Sequence, residues 1–118
     1  MRENAVLSMV LRLGRGATRL FRNGVGQYRT PEGQVIRYGL CTGSSDIIGW
    51  QSVVVTPDMV GRRVAVFVAI ECKSDSGRPT KEQLAFIAAV KAAGGIAGVC
   101  RSSEDAEKLL AGGVDTPR

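Results

Sequence analysis

Hydrophobic and polar positions divide the chain into helix-like and strand-like stretches. Residues 4–13 place apolar side chains at the three- and four-residue intervals of a helix, and Gly14 and Gly16 end it. Short, dense apolar runs typical of strands follow in four places. These runs are residues 17–28, 35–40, 47–56 and 63–73. Asn23-Gly24 interrupts the first run, which we interpret as one strand and a possible hairpin arm.

The second half of the chain predicts a helix, a strand and a further helix. Thr80 opens a helix that Gly94-Gly95 ends, residues 96–100 form a short strand, and Ser102 or Ser103 caps a helix to about Leu110. The predicted order is α-β-β-β-β-α-β-α. A strand, helix and strand over residues 63–100 predict a right-handed crossover with parallel strands. The fold class is therefore α/β with a mixed β-sheet flanked by helices, in a single domain over residues 1–118.

Positive charge is concentrated at the start of the chain. The formal net charge is +5. Residues 1–40 contain seven arginines and two glutamates, whereas residues 41–118 contain nine basic and nine acidic residues. This asymmetry indicates an anionic partner, with nucleic acid favoured over a membrane surface. The alternative is a solvated basic surface with no partner.

Composition excludes several kinds of chemistry. The chain has no histidine, which rules out a Ser-His-Asp triad, a Cys-His pair and the usual zinc-hydrolase ligands. Its three cysteines include no C-x-x-C pair, and we see neither a signal peptide nor an apolar run long enough to span a membrane. We therefore expect an intracellular protein with reduced thiols.

One strand end carries a carboxylate and a lysine that need an explanation. Glu71 and Lys73 lie two residues apart after a long apolar run, so they share one face of the strand while Cys72 points to the other. A surface ion pair is the simplest interpretation. Asp46 adds context, because it immediately precedes the strand predicted from Ile47.

A hairpin between the strands that begin near Ile47 and Arg63 would bring Asp46 and Glu71 to the same sheet edge. Two carboxylates without histidine are typical of a hard-cation site, since Mg²⁺ or Mn²⁺ needs only one or two carboxylates plus water and phosphate oxygens. The backbone carbonyl of Cys72 is a candidate third ligand. Such an ion stabilises charge on a phosphate and activates water, while Lys73 can orient or deprotonate that water and neutralise the phosphate.

These residues resemble the motif of the PD-(D/E)XK nucleases, and the surrounding sequence is similar to their VRR-NUC (virus-type replication-repair nuclease) branch. Ser45 stands where the superfamily motif has proline, which leaves the required carboxylate in place. The resemblance extends from Glu3 to about Leu110. Its further motifs are Tyr38-Gly39-Leu40, Gly43-Ser44-Ser45-Asp46-Ile47-Ile48-Gly49, Thr80-x-x-Gln83-x-x-Phe86 and Gly94-Gly95.

The resemblance implies a restriction-endonuclease-like core that hydrolyses phosphodiester bonds with a divalent metal. It implies metal ligation by Asp46 and Glu71 and a catalytic role for Lys73. It also matches Glu3 to an acidic outer partner of the metal, although a first-turn glutamate equally suits the helix dipole. Gln83 matches the family glutamine, and we favour a site role for it over the alternative of a capping box with Thr80.

Stand-alone relatives of this kind resemble Holliday junction resolvases of phages and bacteria, which implies a homodimer acting in DNA repair on branched DNA. A twofold-symmetric dimer suits a four-way junction, which needs two symmetric cuts. The alternatives are a monomeric flap or nicking nuclease and a non-catalytic nucleic-acid-binding module. Candidate DNA contacts are basic or hydroxyl-bearing: Arg15, Arg19, Arg22, Arg29, Ser44 and Ser45.

Overall fold

The computed structural model describes residues 2–112, which contain three α-helices, six β-strands and one short 3-10 helix. The helices are α1 (Glu3–Leu11), α2 (Lys81–Ala92) and α3 (Ser103–Gly112), and the 3-10 helix is Pro57–Met59. The strands are β1 (Thr18–Arg22), β2 (Gly26–Arg29), β3 (Val35–Tyr38), β4 (Ile47–Gln51), β5 (Val68–Cys72) and β6 (Ile96–Cys100). None of the helices in this part of the chain is long and apolar enough to cross a membrane.

The chain divides into two units, Met1–Val53 and Val54–Arg118, called here the N-terminal and C-terminal units. In the N-terminal unit, β1 pairs with β4 and β2 pairs with β3, both antiparallel. In the C-terminal unit, β5 and β6 are parallel and α2 connects them. The parallel pair, with α2 between its strands, confirms the parallel strands predicted for residues 63–100.

The first predicted strand is two strands in the structure. Residues 17–28 contain β1 and β2, separated at Asn23-Gly24-Val25, so five strands precede α2 where four were predicted. The separation lets β1 pair with β4 while β2 turns away to pair with β3. The interruption at Asn23-Gly24 was visible in the sequence, but the different partners of the two strands were not.

Two other predicted strands are shorter than expected because their partners end. The pairing of β4 with β1 reaches Thr18 opposite Gln51, and one further hydrogen bond joins the Ser52 N–H to the Ala17 carbonyl. Val68, the first residue of β5, lies opposite Ile96, which follows the glycines that end α2. A strand lasts only while a neighbour satisfies its backbone, so residues 52–56 and 63–67 lie outside β4 and β5.

The α/β class is confirmed, but the arrangement of strands differs from the prediction. The strands of residues 2–112 form three two-stranded sheets flanked by helices, in place of one mixed sheet. The hairpin predicted between the strands from Ile47 and Arg63 is not among these pairs, because β4 pairs with β1 and β5 with β6. The single domain over residues 1–118 stays a prediction.

Buried residues of the C-terminal unit lie where α2 meets β6. Val90, Ala97 and Cys100 are its most buried apolar side chains. Gly95 lets the chain turn tightly from α2 into β6, because a Cβ there would lie 2.9 Å from the Phe67 carbonyl oxygen and 2.7 Å from a Val90 methyl. The helix, the tight turn and the strand together fix the position of β5 beside β6.

We expect the Gly49→Ala substitution to destabilise the protein by about 2–3 kcal/mol, the range of an overpacked site. A Cβ at Gly49 would collide with the backbone carbonyl of Arg19 on the paired strand, and a backbone group cannot move aside like a side chain. Urea unfolding measures the difference. Gly24→Ala is the matched control, since a Cβ at Gly24 meets no atom within 4 Å. Equal stabilities of the two variants would contradict the β1–β4 pairing.

Candidate functional site

The N-terminal unit brings two of the predicted acidic residues to one cavity. Asp46 immediately precedes β4, Glu3 begins α1, and both line a cavity of about 240 Å³. The resemblance implies that Glu3 is an outer partner of the metal held by Asp46, and the structure places both carboxylates on the same cavity. The other lining residues are Asn4, Leu7, Arg22, Asn23, Gly24, Val25 and Ser44.

A hydrogen-bonded loop holds the backbone that precedes Asp46. The Ser44 hydroxyl donates to the Cys41 carbonyl oxygen at 2.7 Å and accepts from the Cys41 N–H at 3.3 Å. It also accepts from the Asn23 side-chain amide at 2.7 Å. Because its hydroxyl already makes three hydrogen bonds, Ser44 fits a role in shaping this loop better than a role in binding phosphate. Ser45, the other predicted serine, is exposed.

Asn23 is a site residue that the sequence analysis missed. It is the one buried polar residue of the part of the chain that the structure describes, and its side chain joins the end of β1 to the loop before β4. The sequence showed Asn-Gly only as an interruption of a strand. An asparagine with no helix to cap would be the only sign in the sequence that this side chain has another role. The sequence does not identify its partners, because they lie 21 and 22 residues away.

The C-terminal unit carries the predicted glutamate and lysine as an ion pair. The Lys73 ammonium nitrogen lies 3.5 Å from a Glu71 carboxylate oxygen, so the two side chains share one side of the strand end as predicted. The Lys73 side chain is 21% exposed and the Glu71 side chain 30% exposed, which leaves both accessible to a ligand. The Lys73 N–H donates to the Cys100 carbonyl oxygen, and this bond continues the β5–β6 pairing by one residue. The register places Cys72, whose carbonyl was the predicted third ligand, opposite Cys100.

Glu71 and Gln83 line one groove of about 340 Å³ between β5 and α2. The predicted capping box is also present, since the Thr80 hydroxyl accepts from the Gln83 backbone N–H at 3.1 Å and the Gln83 side-chain oxygen Oε1 accepts from the Thr80 N–H at 2.8 Å. Gln83 therefore caps α2 and faces the same groove as Glu71. The remaining lining residues are mostly apolar: Ala69, Ile70, Glu82, Phe86 and Ile87.

The four candidate DNA-binding arginines have different surroundings. The Arg19 guanidinium lies over the rings of Trp50 and Phe21, at 5.7 and 5.9 Å from their centroids. The Arg29 guanidinium donates to the Gly33 carbonyl oxygen at the β2–β3 turn. Arg22 lines the Asp46 cavity, and Arg15 is exposed in the turn before β1.

No three cysteine, aspartate or glutamate side chains of residues 2–112 form a cluster able to hold a metal ion. The carboxylates described above still suit a hard cation. Glu3 and Asp46 offer oxygen atoms on one cavity, and Glu71 offers them beside Lys73. Mg²⁺ retains several waters and binds through only one or two carboxylates, so this donor chemistry fits such an ion without a third side chain.

We expect Cys41 and Cys72 to react rapidly with a thiol reagent at pH 8 and Cys100 to react slowly. Cys41 and Cys72 are exposed, whereas Cys100 is 5% exposed. Burial, assisted by Asp105 and Cys72, raises the pKa of the Cys100 thiol and so reduces its reactive thiolate. The folded protein holds that proton more tightly than the unfolded chain, so stability falls as the pH rises above the ordinary thiol pKa.

Mass spectrometry of time-resolved labelling measures the three rates. All three thiols should react alike in denaturant, which serves as the control for reagent access. Labelling of Cys100 at the rate of Cys41 in the folded protein would contradict its burial at the end of β6.

Comparisons with known proteins identify the family of the chain. The model of the VRR-NUC domain matches residues 27–104, well over half of the 118 residues. The match contains Asp46, Glu71, Lys73 and Gln83 and leaves Glu3 outside it. No curated protein and no solved structure matches the chain. The chain belongs to the VRR-NUC domain family.

Proposed function

We propose that the protein is a divalent-metal-dependent, structure-specific DNA endonuclease in which Asp46 and Glu71 hold Mg²⁺ or Mn²⁺ and Lys73 acts on the attacking water and the phosphate. Membership of the VRR-NUC family indicates a nuclease-type function with DNA as the substrate. The observation that carries the proposal is the 3.5 Å contact between Lys73 and Glu71 at the end of β5, within the matched region. The Glu71 carboxylate can bind a cation, and the neighbouring Lys73 ammonium can bind a phosphate.

A bound divalent cation supplies positive charge that stabilises the transition state of phosphodiester hydrolysis and makes a water molecule easier to deprotonate. The Lys73 ammonium adds a second positive charge and three hydrogen-bond donors. Glu71 orients the lysine through their ion pair, and its second carboxylate oxygen remains available as a ligand. Lys73 thereby holds a phosphate oxygen or the attacking water in place without moving far from its observed position.

The remaining predicted residues have supporting roles in this proposal. Gln83 faces the groove beside Glu71 while its side-chain oxygen Oε1 caps α2, which leaves its side-chain N–H groups to orient a ligand. Glu3 acts as an outer partner to Asp46 across their shared cavity. The backbone carbonyl of Cys72 is a further candidate ligand for the metal.

DNA affinity comes chiefly from arginine side chains of the N-terminal unit. Arg15, Arg19, Arg22 and Arg29 add contacts to phosphate that are independent of sequence and weaken with salt. Arg22 lines the cavity of Asp46, so its guanidinium can bind a DNA phosphate near the carboxylate proposed to hold the metal. Recognition then depends on the shape of the DNA backbone, in line with a structure-specific nuclease.

We further propose that the substrate is a branched DNA, with a four-way junction favoured, and that the active form is a homodimer. A four-way junction needs two symmetric cuts, and a twofold dimer presents two equivalent sites.

Cleavage of matched DNA substrates tests the proposal. Labelled four-way junction, flap and linear duplex of the same sequence are incubated with the protein in Mg²⁺, in Mn²⁺ and in EDTA, and the molar mass is measured by light scattering. We expect paired cuts in the junction, little cleavage of the duplex, no cleavage in EDTA and the mass of a dimer.

Other outcomes point to the alternatives. If the protein is a monomer that cuts flaps and leaves junctions intact, it is a flap nuclease and the resolvase proposal is wrong. DNA binding without cleavage in either metal would show a non-catalytic module and contradict the proposal as a whole.

A further inference from the structure

We propose that Asn23 is a positioning residue that holds Asp46 in the geometry needed to bind the divalent cation. This inference rests on the proposed metal-dependent function and adds a residue that lies outside the region matched by the family model. Asn23 directly follows β1, and its side chain and its backbone N–H form hydrogen bonds with the segment that leads to Asp46.

The Asn23 side chain satisfies three polar groups of the loop that leads to Asp46. Its amide nitrogen donates to the Ser44 hydroxyl at 2.7 Å and to the Ser45 carbonyl oxygen at 2.9 Å. Its carbonyl oxygen accepts from the Leu40 N–H at 2.9 Å. Both amide hydrogens are therefore used, and one side chain ties Leu40, just before the Cys41–Asp46 loop, to Ser44 and Ser45 near its end.

The backbone of Asn23 fixes Asp46 directly. The Asn23 N–H donates to the Asp46 carbonyl oxygen at 2.7 Å, one residue beyond the pair formed by Arg22 and Ile47. The last bond of the β1–β4 pairing thus falls on the residue proposed as a metal ligand. Asp46 itself remains exposed on the cavity. Its main chain is held while its carboxylate is left available.

Only a side-chain amide meets these requirements at this position. Asn23 is 8% exposed, so each polar atom it carries must find a partner within the protein. Within residues 2–112 no buried side-chain nitrogen or oxygen lacks one. Alanine would remove two donors and an acceptor, and the Leu40 N–H and the Ser45 carbonyl would lose their partner. The loop would then sample other conformations and carry the Asp46 carboxylate with it.

We expect the Asn23→Ala substitution to weaken Mn²⁺ binding by about 10- to 100-fold, the usual effect of removing a group that orients a metal ligand. Binding is measured by titration calorimetry with Mn²⁺ alone, in the absence of DNA, far below the unfolding temperature. DNA contacts are thereby excluded from the readout. Excess Mn²⁺ should restore much of the cleavage rate, because the substitution removes the positioning of a ligand and not the ligand itself.

Thr30→Ala is the matched control for loss of a turn hydrogen bond in the same unit. The Thr30 hydroxyl accepts from the Gln34 N–H at 3.0 Å in the β2–β3 turn. We expect its Mn²⁺ affinity to equal that of the wild type. A thermal melt of each variant shows how much stability each substitution removes.

Ser44→Ala provides a second route if Asn23→Ala fails to fold. It removes the hydroxyl that accepts from Asn23, together with its two hydrogen bonds to Cys41, and leaves the other Asn23 bonds in place, so we expect a smaller, few-fold loss of Mn²⁺ affinity. If the variant with both Asn23→Ala and Ser44→Ala folds, its loss of Mn²⁺ affinity should be smaller than the sum of the two single losses, because both residues act through one hydrogen-bond network.

The outcomes separate this inference from the proposed function. If Asp46→Asn abolishes Mn²⁺ binding while both Asn23→Ala and Ser44→Ala bind as the wild type does, Asn23 is purely structural and the inference is overturned. If the wild type binds no Mn²⁺, or if Asp46→Asn binds it normally, the proposed metal site fails and the inference fails with it.

Discussion

Replacement of Lys73 by methionine is expected to lower the rate of DNA cleavage by about 10²–10⁴-fold, the range for loss of a group that transfers a proton or stabilises transition-state charge. Methionine retains an unbranched stem of similar length and removes only the ammonium. The Glu71 carboxylate loses its 3.5 Å partner but is partly exposed, so water replaces the lost contact and the fold is preserved.

Single-turnover cleavage of the preferred branched substrate measures this effect, with DNA affinity measured in parallel. Affinity should change little, because one ammonium is a small part of the basic surface. Lys108→Met, on the exposed part of α3, is the matched control and should cleave at the wild-type rate. A Lys73→Met protein that cleaves within tenfold of the wild type would show that the lysine has no catalytic role.

Replacement of Asp46 by asparagine is expected to reduce cleavage by about 10²–10⁴-fold, since a metal ion contributes several kcal/mol to the transition state and its binding depends on this charge. Asparagine has nearly the same shape, and the hydrogen bonds that fix this position involve the Asp46 backbone, so the β1–β4 pairing should persist. The loss therefore reports the carboxylate charge rather than the fold.

Asp58→Asn serves as the control for removal of a carboxylate from a turn. Asp58 lies in the 3-10 helix, where a hydrogen bond from the Thr56 hydroxyl lowers the pKa of its carboxyl group. It has no part in the proposed site, so cleavage should be unchanged. If Asp46→Asn cleaves like Asp58→Asn while Lys73→Met is inactive, the metal is held by carboxylates other than Asp46.

Local chemistry in the sequence predicted several features that the structure contains. The two-residue spacing of Glu71 and Lys73 placed both on one side of the strand, and the structure shows their ion pair. The Thr80-x-x-Gln83 pattern predicted a capping box, and both of its hydrogen bonds are present. These features depend on residues a few positions apart, where backbone geometry leaves few alternatives.

Features that depend on distant partners were not predictable in the same way. Residues 17–28 had the apolar density of one strand, and only the bonds from Asn23 to the loop before β4 explain why the chain turns there. Glu3 and Asp46 share a cavity because α1 lies beside the end of β1, and no spacing in the sequence reports that proximity. The resemblance to the family implies that Glu3 is an outer partner of the metal, and the structure of the N-terminal unit places Glu3 and Asp46 on one cavity.

The position of a bound metal ion tests the central claim most directly. Crystals of the protein grown with Mn²⁺ and a branched DNA give an anomalous signal that locates the ion independently of any activity. We expect one Mn²⁺ within about 2.6 Å of a carboxylate oxygen from both Asp46 and Glu71, at the distances of oxygen ligands. An ion bound to only one of them, or bound elsewhere, would contradict the account.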